Sequence, residues 1–263
     1  MTYGMCFFRV IPFTLGALAL SFGSALTAAV DANPAQAGFN HAESDAQAIA
    51  IADATMAAMG GRQAWDNTRH VTWRFFGGRL HVWDKFTSNH RFENKDLTVL
   101  SNLNTGEGRA WRDGQAITDS TALAEAIGSA QGAWINDAYW LFMPYKLKDS
   151  GATLKYVGVQ NDATGAAADV LQLTFQDVGR TPDNKYHIFV NQTSGLVSEW
   201  TYWQSYSVDE PRSLGPWTDW APHGEILLAS GHGERAHTGI SVFDTLPHSV
   251  YNDPIAFVLA DYQ

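Results

Sequence analysis

The sequence predicts an α+β fold, mainly antiparallel β. The expected form is an unclosed (half) β-barrel whose concave face is covered by an N-terminal helix and a helical insertion. Three observations predict it. Apolar and aromatic residues alternate with period two over most of the chain. Turn residues separate the alternating runs, and only two stretches switch to helical spacing. One antiparallel sheet of nine or ten such strands curls instead of staying flat.

Residues 1–37 read as an export signal. Arg9 precedes the apolar run 10–20, and Ala35–Gln36–Ala37 gives the small-x-small pattern of a cleavage site, with Thr27–Ala28–Ala29 as an earlier alternative. The run is shorter than the roughly 20 apolar residues that a spanning helix needs. Cys6, the only cysteine, precedes the run and is not placed for lipid modification. A chain cut after Ala37 carries no disulfide and no thiolate. Residues 38–263 then form a single domain.

In that domain Ser44 reads as a helix cap with Gln47 as capping-box partner. Ile49, Ala52, Met56 and Met59 mark one helical face, and Gly60–Gly61 ends it. A short turn around Trp65 follows. Val71, Trp73 and Phe75, then Leu80 and Val82 after Gly77–Gly78, read as the inward faces of two strands. Strands continue over 90–94 and 98–103, with turns at Asn104–Thr105–Gly106 and Asp113–Gly114. The helical insertion covers 122–130 and 134–143 and stops at Pro144. Strands resume over 153–160, 169–175, 185–190 and 198–206. A Gly/Pro/Trp loop over 214–224 leads to short strands near 225–229, 234–238 and 240–243.

The 263 residues carry 17 Lys+Arg against 27 Asp+Glu, a net charge of −10 that loss of Arg9 and Asp31 leaves unchanged. Without a basic excess to neutralise phosphates, nucleic acid is not an expected partner. At 13% aromatic residues, with ten Trp, disorder is excluded and a wall of flat side chains is expected.

The block Asn136–Asp137–Ala138–Tyr139–Trp140–Leu141–Phe142–Met143–Pro144–Tyr145–Lys146–Leu147–Lys148–Asp149–Ser150–Gly151 resembles secreted bacterial proteins of the outer-membrane lipoprotein-sorting type, in the LolA/LolB-like superfamily. Gly60–Gly61 with Trp65, Val178–Gly179–Arg180–Thr181–Pro182–Asp183 with Lys185–Tyr186, and Trp200 carry it further, over most of 45–260. The resemblance implies an unclosed antiparallel barrel plugged by helices around an apolar cavity. It carries over no catalytic residue.

The expected cavity wall is Trp73, Phe75, Leu80, Val82, Trp140, Phe142, Met143, Leu154, Tyr156, Leu171, Leu173, Phe175, Trp200 and Tyr202. An ordinary filled core would use the same residues. Asp137, Tyr139, Lys146, Lys148 and Asp149 are candidates for a polar latch or for head-group contacts. No nucleophile elbow, Walker loop or dinucleotide fingerprint occurs, so no catalytic residue, metal or cofactor is assigned. The expected function is that of a periplasmic or secreted binding protein for a lipid or other apolar small molecule, with no stable membrane insertion after signal cleavage. Two alternatives stand beside it: a metal-dependent hydrolase using His223, His232, Glu234 and His237, and a scaffold for another envelope protein.

Overall fold

Asp45 and the helix-forming run after it start α1 (Ala46–Ala58), and Gly60–Gly61 closes it with two left-handed residues at φ +110° and +91°. A Cβ at Gly60 would lie 2.3 Å from the Glu225 carbonyl oxygen, so only glycine fits this approach. Ser44 does not form the expected capping box. Its hydroxyl donates to Asn40 O (2.8 Å) and accepts from Leu154 N (3.0 Å), while the Asp45 carboxylate accepts from Tyr156 N. The helix start is thus sewn onto a strand edge.

A computed structural model describes residues 31–262 apart from 177 and 180. Residues 1–30, with Cys6 and most of the expected export signal, lie outside the described residues, as do Asp177, Arg180 and Gln263. Residues from Ala32 onward form one compact unit. Among the described residues, no helix is long and apolar enough to cross a membrane.

After α2 (Arg62–Asn67), which replaces the expected turn at Trp65, the chain runs through β1 (His70–Arg74), β2 (Leu80–Asp84), β3 (Asn89–Asn94), β4 (Leu97–Asn102), β5 (Gly108–Arg112) and β6 (Gln115–Ala116) as consecutive neighbours. The two expected helical pieces are one 23-residue helix, α3 (Ser120–Phe142), capped by the Asp119 side chain on Ala122 N. A 3-10 turn, Met143–Lys146, ends it, with Pro144 early in that turn where its missing N–H is tolerated. A second sheet follows: β7 (Ala152–Asn161), β8 (Ala167–Phe175), β9 (Lys185–Asn191), β10 (Val197–Trp203) and β11 (Arg212–Pro216). A third holds β12 (Thr218–His223), β13 (Ile226–His232) and β14 (Arg235–Ala236). Finally β15 (Thr238–Phe243) returns to pair with β1. The expected loop over 214–224 is therefore mostly strand.

Every paired strand is antiparallel, and none of the sheets closes on itself among the described residues. The fold is α+β in the form of an open half-barrel. Helix α1 and Met143 cover the inner face of the second sheet, packing on Leu154, Leu171, Leu173 and Ile188. Helix α3 covers the first, with Ala126 and Ala130 on Phe92 and Val99, and Leu141 and Phe142 near Trp73.

In the first sheet the expected register of β2 is corrected. Trp73 pairs with His81 and Val71 with Trp83, so His81 and Trp83 share the inner face. Leu80 and Val82 face outward. They are nevertheless buried, because residues 246–262 cross that side and place Val250 and Phe257 on them. The link between β1 and β2 is also longer than a two-residue turn. Phe75 leaves the strand into a 3-10 turn and its N–H binds Arg79 O at 2.8 Å, which resets the register.

Arg91 fastens this C-terminal crossing. Its side chain is 1% exposed and donates to the carbonyls of Val250 and Asp253 (both 2.9 Å) and Ile255, with its Nε on Glu93 at 2.6 Å. Glu93 in turn accepts Phe257 N at 3.0 Å. Charged hydrogen bonds of this kind contribute about 1.5–3 kcal/mol each when made, and their loss leaves carbonyls buried and unpaired. Arg91→Ala is expected to cost about 3 kcal/mol. Limited proteolysis should then release fragments cut within 244–262 long before the body is digested; wild-type-like resistance there would refute this role.

Candidate functional site

The inner face of α3 presents Trp134, Ile135, Ala138, Tyr139 and Phe142 at the three- and four-residue spacing that stacks side chains on one side of a helix. Opposite stand Phe175, Tyr186, Trp200 and Tyr202 from β8, β9 and β10, which the register places on one face: Trp200 is level with Ile188, and Tyr186 with Tyr202. Between them lies a cavity of about 600 Å³, extended by Trp65 and Trp83 and rimmed by Val178, Gly179, Thr181, Asn184 and Leu214. The rings meet face and edge rather than interlocking as a solid block. Tyr186 stacks on Trp200 at 5.6 Å between centroids, Trp140 meets Trp200 edge-on at 4.9 Å, and Trp83 meets Trp134 at 5.1 Å.

Of the expected wall, Trp140, Phe142, Phe175, Trp200 and Tyr202 line this cavity. The others lie elsewhere. Met143, Leu154, Leu171 and Leu173 face inward but are completely buried under α1, in a filled core. Tyr156 lies at the edge of that core with its hydroxyl on Asp169 (2.8 Å). Trp73 is sandwiched between His81, stacked at 4.6 Å, and Phe142. Phe75 packs on Phe76 and Trp140 beneath Arg79. Leu80 and Val82 are on the outer face.

Of the expected polar residues, Tyr139, Lys146 and Asp149 line the cavity, and the last two form an ion pair three residues apart. Lys148 instead pairs with Asp53 at 2.6 Å. Asp137 is fully buried and serves the frame. It accepts both Nε and Nη2 of Arg79 (2.7 Å each), Asn136 Nδ2 (2.9 Å) and His81 Nε2 (2.9 Å). Burial pushes its carboxyl up, but the His81, Arg79 and Asn136 hydrogen bonds outweigh that and hold it below the usual carboxylate range. The chain continues from His81 Nδ1 to His90 Nε2 at 3.0 Å, which fits two neutral imidazoles each donating through Nε2. Burial lowers the pKa of both.

Trp65, Trp83, Trp134, Ile135 and Tyr186 belong to the wall but were not in the expected set. Trp83 was hidden by the β2 register. Tyr186 was legible, since it alternates with Ile188 and Val190. The histidines of the hydrolase alternative are apart from the cavity. His232 and His237 lie 4.9 Å apart in an aromatic box with Phe76 and Trp217, and burial lowers them to about 3 and about 4. Among the described residues no three His, Cys, Asp or Glu groups are placed to hold one metal ion.

No family model matches the chain, and no curated protein matches it. Among solved structures it is similar to the crystal structure of a DUF1329 family protein from Desulfovibrio piger. The likeness covers 78% of this chain and 96% of that one at 11% identity, with a TM-score of 0.39.

Proposed function

We propose that this is an exported binding protein, periplasmic or secreted, that holds an apolar or amphipathic small molecule between α3 and the second sheet without transforming it. The observation that carries the reading is the cavity itself. Its volume of about 600 Å³ lies within the roughly 300–1,000 Å³ of small-molecule sites. Its wall is mostly apolar with a few polar groups, Lys146, Asp149, Thr181 and Asn184 among them. Each CH₂ buried there contributes about 0.8 kcal/mol, so affinity needs no charged contact. Export is supported by the N-terminal pattern. Cleavage near Ala29 would keep Asn33 on Asp53 and Gln36 N on Lys148 O, contacts that cleavage after Ala37 would remove.

Ile135 tests the reading cleanly, because it lines the cavity yet is partly exposed. Ile135→Trp adds bulk to the wall without emptying the core, so its stability change should stay within about 0.5 kcal/mol. Binding of an environment-sensitive apolar dye should weaken by about tenfold. Equal dye affinity in variant and wild type would place the ligand elsewhere.

A further inference from the structure

Residues 33–40, ahead of α1, have no regular structure, yet they are firmly tied down. Asn33 is 6% exposed. Its side chain donates to Asp53 Oδ1 at 2.8 Å, and the same carboxylate pairs with Lys148 at 2.6 Å. Arg62 Nη1 donates to Pro34 O at 2.9 Å. Three backbone hydrogen bonds then run in step with 148–152: Gln36 N to Lys148 O (3.0 Å), Gly151 N to Gly38 O (2.7 Å) and Asn40 N to Ala152 O (3.0 Å).

What these contacts hold is one lip of the cavity. Lys146, Asp149 and Ser150 line it from the turn between α3 and β7. Gly151, next in the chain, joins that lip to the opposite one. Its carbonyl accepts both Asn40 Nδ2 (3.2 Å) and Gln176 N (2.9 Å). A Cβ there would lie 2.6 Å from Val178 Cγ1, so glycine is what lets the two sides meet. Val178 and Gly179 line the cavity from that other side.

We infer that residues 33–40 are a clasp that fixes the cavity mouth in its binding form. The inference rests on the binding reading above and names what sets its affinity. A mouth held in place beforehand need not be ordered when the guest arrives, whereas a loose one must be, at the expense of affinity.

The test uses Nile red, titrated against three variants of the full chain, with hydrogen exchange followed at the Gly151 amide. Gly38 has φ +88°, a conformation that a β-branched residue resists, so Gly38→Val should peel the clasp. Dye affinity should fall about fivefold and Gly151 exchange should rise about tenfold. Asn40→Ala removes only the side-chain bridges to Gly151 O and Thr153 Oγ1 and should weaken the dye about twofold. Arg91→Ala, destabilised far from the mouth, should bind the dye as the wild type does. Unchanged affinity in Gly38→Val would overturn the clasp and leave the cavity reading standing. An equal loss in Arg91→Ala would also overturn it, because the effect would then be general destabilisation. No dye uptake by the wild type would overturn the binding function and the clasp together.

Discussion

Asp137→Ala will destabilise the protein by about 4 kcal/mol, because removing one partner of a buried ion pair leaves the other charge uncompensated. The carboxylate is fully buried and carries four hydrogen bonds, two from a guanidinium that is about one-third exposed. Arg79 regains some water when the partner goes; His81, completely buried, does not. At about 2–4 °C per kcal/mol for a chain of this size, the melting temperature should fall by about 10 °C. Asp137→Asn keeps the shape and part of the acceptor set and should recover some of that loss. A fall of under about 2 °C for the alanine variant would show that the network is not holding α3 against the first sheet.

Acid will destabilise the protein from about pH 6.5 downward, above the carboxylate range. His232 and His237 are lowered to about 3 and about 4, chiefly by burial. The Arg235 charge adds to the shift at His232, and the Trp140 carbonyl opposes it at His237. In the unfolded chain each titrates near 6.5. Between those values the unfolded state binds more protons, so stability falls as pH falls. The loss begins below about pH 6.5, grows by up to about 2.7 kcal/mol per pH unit for the two together, and levels off below the folded-state values. At pH 5 the protein should therefore be about 4 kcal/mol less stable than at pH 8. His70, His187 and His223 shift in the same direction and steepen the curve. Urea titrations at stepped pH measure this directly. A flat profile from pH 8 to 5 would mean that these histidines are protonated in the folded state.

The second sheet was legible because its strands alternate cleanly. Leu154 and Tyr156, Leu171, Leu173 and Phe175, and Trp200 and Tyr202 all face inward in the observed register. The first sheet was harder for a local reason and a distant one. β2 is apolar on both faces, so Leu80 and Val82 competed with His81 and Trp83 for the inside. The cover over its outer face arrives from residues more than 160 positions away, which no local period records. The cavity was legible only in part. Inward direction is a property of the strand, but open or filled depends on where a helix lands. Helix α1 fills the space over Leu154 and Leu173, whereas α3 leaves it open beside Phe175 and Tyr202. Asp137 looked like a ligand contact because its partners Arg79 and His81 are over fifty residues away in sequence.

Native mass spectrometry of the protein taken from its own host, without detergent or refolding, tests the carrier account most directly. The account predicts a chain bearing one small molecule that organic extraction removes and that Ile135→Trp fails to retain. A bare chain mass in both proteins, with no uptake when ring or acyl probes are added back, would contradict it.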